Sequence, residues 1–85
     1  MKSFEYVIKD ELGIHARPAG LLVKEATGYK SSIKIAKGEK SADAKKIFGI
    51  MGLGVKCSET VILTIDGEDE AEAAANLGEF MKKIW

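Results

Sequence analysis

The chemistry in this chain gathers in Gly13-Ile14-His15-Ala16-Arg17-Pro18-Ala19, which holds its only histidine and its only proline. Proline has φ preset for a helix and lacks a backbone N–H, so it is favoured in a helix's first turn and disfavoured further in. Pro18 therefore marks a helix start, and residues 19–27 read as its continuation. That places His15 at or just outside the N-terminus, where backbone N–H groups lack internal partners and the dipole end is positive, a setting that binds anions. Arg17 is the wrong charge for a helix start judged by stability alone. A local rule broken beside a lone His points to a functional site. A positive neighbourhood disfavours imidazolium, so the ring is expected to be neutral and nucleophilic near pH 7. Attack on a phosphoryl group would leave a dianion on the ring, next to the Arg17 guanidinium and the free N–H groups. His, Arg and Pro alone leave two readings open: reversible phosphorylation of His15, or a surface histidine with no task.

These residues must be held by the elements on either side. Phe4, Tyr6 and Ile8 alternate with Ser3, Glu5 and Lys9, which predicts a strand over residues 2–9 with one buried face, Val7 being a small exception. Asp10 to Gly13 reads as a turn that delivers the chain to His15. Ala19, Leu22, Val23 and Ala26 form a helical stripe facing a core, and Gly28 is expected to end that helix in a left-handed conformation. Ile33 and Ile35 alternate in a second strand, and Lys37-Gly38-Glu39 turns the chain into a third, Lys40 to Ala44, polar enough to belong at a sheet edge. A short helical turn falls within Lys46 to Leu53, with Gly54 closing it. Val61, Leu63 and Ile65 mark a fourth strand whose other face is also partly apolar, as suits a central strand. After Asp66-Gly67 a last helix carries the stripe Ala73, Ala74, Leu77, Phe80, Met81 and Ile84. The element order is βαββαβα, with helices able to cover one face of a four-stranded sheet.

Composition narrows the function. Eighty-five residues make one domain, residues 1–85, burying only about 60–65% of the unfolded chain's surface, so partners must be met at the surface. Thirteen basic and thirteen acidic residues cancel, which argues against non-specific nucleic-acid binding. The single Cys57 has no partner for an internal disulfide, which fits a reducing compartment, and it is expected to be a buried or half-buried filler. The first residues lack a signal peptide's apolar core, and the longest apolar run, Ile47 to Val55, is short and broken by glycines. A cytoplasmic protein with no membrane insertion is expected. Glu68, Asp69, Glu70 and Glu72 could suggest a metal site, but helix-start electrostatics accounts for them, and residues fanned around a helix do not converge on a cation. No metal or cofactor is implied.

The run Gly-Ile-His-Ala-Arg-Pro-Ala resembles the active-site segment of the HPr family, histidine-containing phosphocarriers of the bacterial sugar phosphotransferase system. The likeness covers essentially the whole chain and includes a second segment, Ile47 to Gly54. It implies an α+β open-faced sandwich: a largely antiparallel sheet in the order 1-4-2-3 with the helices on one face. It makes His15 the phosphorylated residue, Arg17 its charge partner, and Ala16 and Arg17 the phosphate-binding pair. It implies a stoichiometric carrier rather than an enzyme, taking phosphate from phosphoenolpyruvate-charged enzyme I and delivering it to enzyme IIA domains. The carrier is expected to be a monomer.

Ile47, Phe48, Ile50, Met51 and Leu53 crowd a segment too short to bury five large side chains on one side, so some should be exposed. By the resemblance this segment joins the surroundings of the histidine in one docking face, here Ala16, Gly20, Ile47, Phe48, Gly49, Met51, Gly52 and Gly54. Phe48 and Met51 are the expected contact residues, Met being adaptable where several partners must be served. Three positions depart from the family. Lys46 stands where a regulatory serine is usual, so serine phosphorylation there is expected to be lost. Gly52 replaces a small polar residue. Gly20, in place of Thr or Ala, costs about 0.5–1 kcal/mol of helix stability relative to Ala. Two other functions stay open. One is a paralogue in a regulatory relay, nitrogen-related or serving a dihydroxyacetone kinase. The other, remote, is a KH-like nucleic-acid module on Gly49-Ile50-Met51-Gly52, disfavoured by apolar residues between the glycines.

Overall fold

The structure, a computed structural model, describes residues 1–14 and 16–85. Among them the elements run β1 (Lys2–Val7), α1 (Ala16–Thr27), β2 (Ser32–Lys37), β3 (Lys40–Asp43), α2 (Ile47–Met51), β4 (Thr60–Asp66) and α3 (Glu70–Ile84). The βαββαβα order is the one expected from the periodicities.

The four strands form one sheet in the order β1-β4-β2-β3, and all three pairings are antiparallel. Its register follows from the period-two pattern, because a one-residue slip would turn every apolar side chain to water. Phe4 stands opposite Leu63, Tyr6 opposite Val61, Ile33 opposite Ile65, and Ile35 lies between Leu63 and Ala42. Ile33, Ile35, Val61, Leu63 and Ile65 are fully or almost fully buried beneath the helices. The other face carries exposed Ser3, Glu5, Ser32, Lys34 and Ile62. The helices therefore cover one face, and the apolar β4 is central as its two-sided pattern asks. The polar β3 lies at an edge.

α1 buries Ala19, Leu22 and Ala26 with Val23 half-buried, and α3 buries Ala73, Leu77 and Met81 with Ala74, Phe80 and Ile84 packed at the margin. Each fully covered large aliphatic side chain contributes roughly 1.5–3 kcal/mol. These stripes fix the rotation of both helices, and hence where their ends point.

Several boundaries and details differ from expectation. β1 ends at Val7 rather than residue 9, because the N–H of Ile8 donates to Glu59 O at 2.9 Å and Ile8 O accepts from Ser58 N at 2.7 Å, outside the β4 register. β3 stops at Asp43, although Ala44 N still donates to Ile33 O. Gly28 does not take the left-handed conformation expected of it. Instead, Gly28 N and Tyr29 N donate to Glu25 O and Ala26 O, three residues back, so α1 ends by tightening its last turn. Cys57 is exposed, not buried, because it occupies a central position of the Lys56–Glu59 turn.

The acidic run before α3 also works differently. Glu70 and Glu72 lie in the first turn, as the dipole favours, but Asp69 forms no cap bond to its own helix. Its carboxylate accepts the N–H groups of Lys30 and Ser31, both at 2.9 Å, and the Ser31 hydroxyl. The entry to β2 is thereby tied to the start of α3. These bonds, the Ser31 hydroxyl first, hold the Asp69 carboxyl below the usual carboxylate range. A depressed carboxyl contributes stability that is complete above its unfolded pKa and lost as pH falls through its folded one. Asp69→Asn is therefore expected to lower stability at neutral pH, with the gap to wild type closing below about pH 4. Urea unfolding at several pH values checks this, and a gap independent of pH contradicts it.

Candidate functional site

His15 lies outside the described residues, so the site is built from what flanks it. Upstream, the turn foreseen over Asp10–Gly13 is present: Leu12 N donates to the Asp10 carboxylate and Gly13 N to Asp10 O, each at 2.9 Å. Gly13 has φ +68°, and Ile14 N then donates to Val55 O at 3.0 Å. Only glycine fits here. A Cβ on Gly13 would lie 2.4 Å from Val55 O and 2.8 Å from Lys56 Cα, both backbone atoms with little room to move. The side chains of Ile14 and Val55 are both buried. The backbone leading into position 15 is thus laid directly on the 54–59 segment.

Downstream, α1 begins at Ala16, with Arg17 second and Pro18 third. In any α-helix the first N–H groups have no partner four residues back, and Pro18 has none to donate. The N–H groups of Ala16 and Arg17 are the ones this turn presents. Both residues are exposed, Pro18 is buried, and no acidic side chain stands in the turn. A first turn with exposed amides and a guanidinium, and without carboxylates, favours an anion. The expected pair Ala16 and Arg17 is therefore together at one helix mouth.

The second expected surface divides as a short helix must. Ile50 and Leu53 are buried, Ile47 is half-buried, and Phe48 and Met51 point outward at 88% and 37% exposure. α2 packs on α1, where a Cβ on Gly20 would sit 3.7 Å from Ile47 Cδ1, an ordinary contact. Gly20 is thus half-buried between two helices, and its space would admit Ala. Gly49 is half-buried too, turned toward β3, where a Cβ would come within 3.2 Å of Ala42 Cβ. Gly52 and Gly54 are exposed, and Gly54 takes φ +62° as the chain leaves the helix. Lys46 is exposed at the N-cap of α2 and makes no cap bond with its side chain. A groove of about 750 Å³ runs between β3 and α2, lined by Lys40, Ala42, Lys46, Phe48, Gly52 and Leu53.

Two features were missed from sequence. Leu21 is 44% exposed on α1, and its place off the buried stripe was the available signal. The platform at Val55–Glu59 under Gly13 gave no local signal, because it is a contact between distant segments. Among the described residues no group of three or more His, Cys, Asp or Glu side chains could hold a metal ion, and no helix is long and apolar enough to cross a membrane.

Comparison with known proteins adds to this geometry. A family model described as the PTS HPr component phosphorylation site matches residues 2–83. The phosphocarrier protein HPr of Lysinibacillus sphaericus is 40% identical over 84 residues, spanning 99% of this chain and 96% of that one. The phosphocarrier protein HPr of Mycoplasma genitalium is also 40% identical over 84 residues, spanning 98% and 96%. The crystal structure of HPr-C-His from Thermoanaerobacter tengcongensis superposes with a TM-score of 0.92 at 40% identity, covering 99% of this chain and 94% of that one.

The platform itself carries a strained residue. Ser58 takes φ +73° at the third position of the turn closed by Glu59 N to Lys56 O, a place that favours glycine. Opposite effects are therefore expected on the two sides of the contact. Gly13→Ala should lower unfolding stability by about 1–3 kcal/mol through clash and strain. Ser58→Gly should raise it by about 1 kcal/mol. Chemical denaturation of the two variants checks both signs.

Proposed function

The chain belongs to the HPr family of the phosphotransferase system, and from that membership we propose that it accepts a phosphoryl group on His15 from phosphoenolpyruvate-charged enzyme I and passes it to enzyme IIA domains in sugar uptake. The observation that carries this reading is the exposed, acid-free first turn of α1, with Arg17 in it, directly following the protein's only histidine in the chain. A neutral ring nitrogen attacks phosphorus as the donor's bond to it breaks, and the same exchange runs in reverse when the acceptor attacks. Arg17 and the first amides of α1 balance the charge that stays behind. The chain supplies no general base in this reading, since the lone pair of neutral imidazole is the nucleophile. It is a stoichiometric carrier, consumed and regenerated by enzymes in the cytoplasm.

Docking is assigned to the face of Ala16, Gly20, Ile47, Phe48, Gly49, Met51, Gly52 and Gly54, with Phe48 and Met51 as its contact residues. An aromatic ring exposed to 88% on a folded surface favours such a role. Lys46 cannot be phosphorylated as a serine is, so kinase control at that position is absent. That departure favours, as a second reading, a paralogue serving a regulatory relay. The chemistry at His15 would be unchanged, and transfer to sugar-specific as against other IIA domains distinguishes the two.

Incubation with phosphoenolpyruvate and enzyme I, followed by phosphorus NMR, tests the proposal. An acid-labile phosphohistidine signal is expected in wild type and absent in His15→Ala. Arg17→Ala should keep the fold and slow transfer at least about tenfold, the scale of one lost charge-assisted contact. A signal that survives in His15→Ala overturns the assignment.

A further inference from the structure

The segment 54–59, on which the backbone before position 15 rests, belongs to no helix or strand. It is anchored near its start by the buried Val55 side chain, and its backbone is bonded to residues 8 and 14. Its two ends are held together from outside by a single side chain. Lys37 Nζ donates to Gly54 O at 3.1 Å and lies 3.0 Å from Glu59 Oε1. The same Glu59 oxygen accepts Lys56 N at 2.7 Å. These contacts, the lysine first, hold the Glu59 carboxyl below its ordinary range.

Lys37 is well placed as an anchor. It ends β2 and is paired with Lys40 across the hairpin, so its backbone is fixed by the sheet. Its ammonium reaches from the sheet to both ends of the loop. Lys37 and Glu59 side chains are 29% and 36% exposed, so as an ion pair they contribute little to global stability. What they control is local. Displacement of Gly54 or Glu59 shifts Val55 O and Lys56 Cα, the atoms against which Gly13 and Ile14 are set without slack.

We propose that Lys37, acting through Gly54 O and Glu59, is a positioning residue for phosphoryl transfer: it clamps the 54–59 platform and so sets the backbone that enters position 15. This rests on the reading of His15 as the phosphate acceptor. The clamp works by placement, since loosening the platform lets Ile14 N leave Val55 O and frees the backbone at Gly13 and Ile14.

Two readouts test it, in Lys37→Met and in the milder Glu59→Gln, which keeps an oxygen for Lys56 N. Amide exchange followed by nitrogen NMR should show Ile14 N–H exchanging about fivefold faster, with the β4 amides of Val61 and Leu63 unchanged. The rate of phosphoryl uptake from charged enzyme I at saturating donor should fall severalfold, with the half-saturating donor concentration unaltered. Lys37→Arg, which can still donate to both acceptors, should restore both. The proposal is overturned if Ile14 exchange and transfer stay at wild-type values in both variants, or if the β4 amides accelerate equally, which would mark a general loss of stability. A wild-type chain that takes up no phosphate overturns the reading of His15 itself, and Ile14 exchange then decides alone whether Lys37 holds the loop.

Discussion

A sheet with one apolar face must be covered, and in this chain that requirement sets nearly everything else. Ile33, Ile35, Val61, Leu63 and Ile65 present a continuous patch that only the stripes of α1, α2 and α3 are available to shield. Once Leu22 and Ala26 are seated on it, the opposite side of α1 faces water and its first turn ends at the surface. α2 is too short to bury itself alone and leans on α1 through Ile47 and Gly20. The packing that hides the core therefore also brings Arg17, Phe48 and Met51 out on neighbouring helices.

Carboxylates organise the connections between these elements. Asp69 ties the entry of β2 to α3. Glu70 accepts Gly67 N at 3.2 Å and meets the Met1 ammonium at 2.6 Å, which fastens the start of β1 to the same helix. Glu59 ties its own loop to the end of β2. All three are held below the ordinary carboxylate range by hydrogen bonds to their charged form. Helix-dipole electrostatics accounts for why acidic residues are tolerated before α3, but not for which donors each of them finds.

At the entrance to the candidate site, backbone packs directly on backbone. The contact of Gly13 with Val55 and Lys56 leaves no space for a Cβ, and the turn beneath it places Ser58 in a left-handed conformation. A backbone-to-backbone contact of this kind leaves little freedom to the chain at Gly13 and Ile14.

Local pattern alone determined the element order, the buried stripe of each helix, the edge position of β3, the central position of β4, and the gathering of Ala16 and Arg17 at a helix mouth. Each of these follows from periodicity, charge or the preset φ of proline, which act over a few residues. The outward turn of Phe48 and Met51 was legible for the same reason, since five large side chains cannot share one face of a short helix. The tertiary structure decided what depends on contacts between distant segments. These are the diversion of Asp69 to Lys30 and Ser31, the bonding of Ile8 to the 58–59 turn, and the seating of Gly13 on Val55 beneath the reach of Lys37. Such pairings join residues far apart in the chain, and no local propensity encodes which donor will be brought to which acceptor.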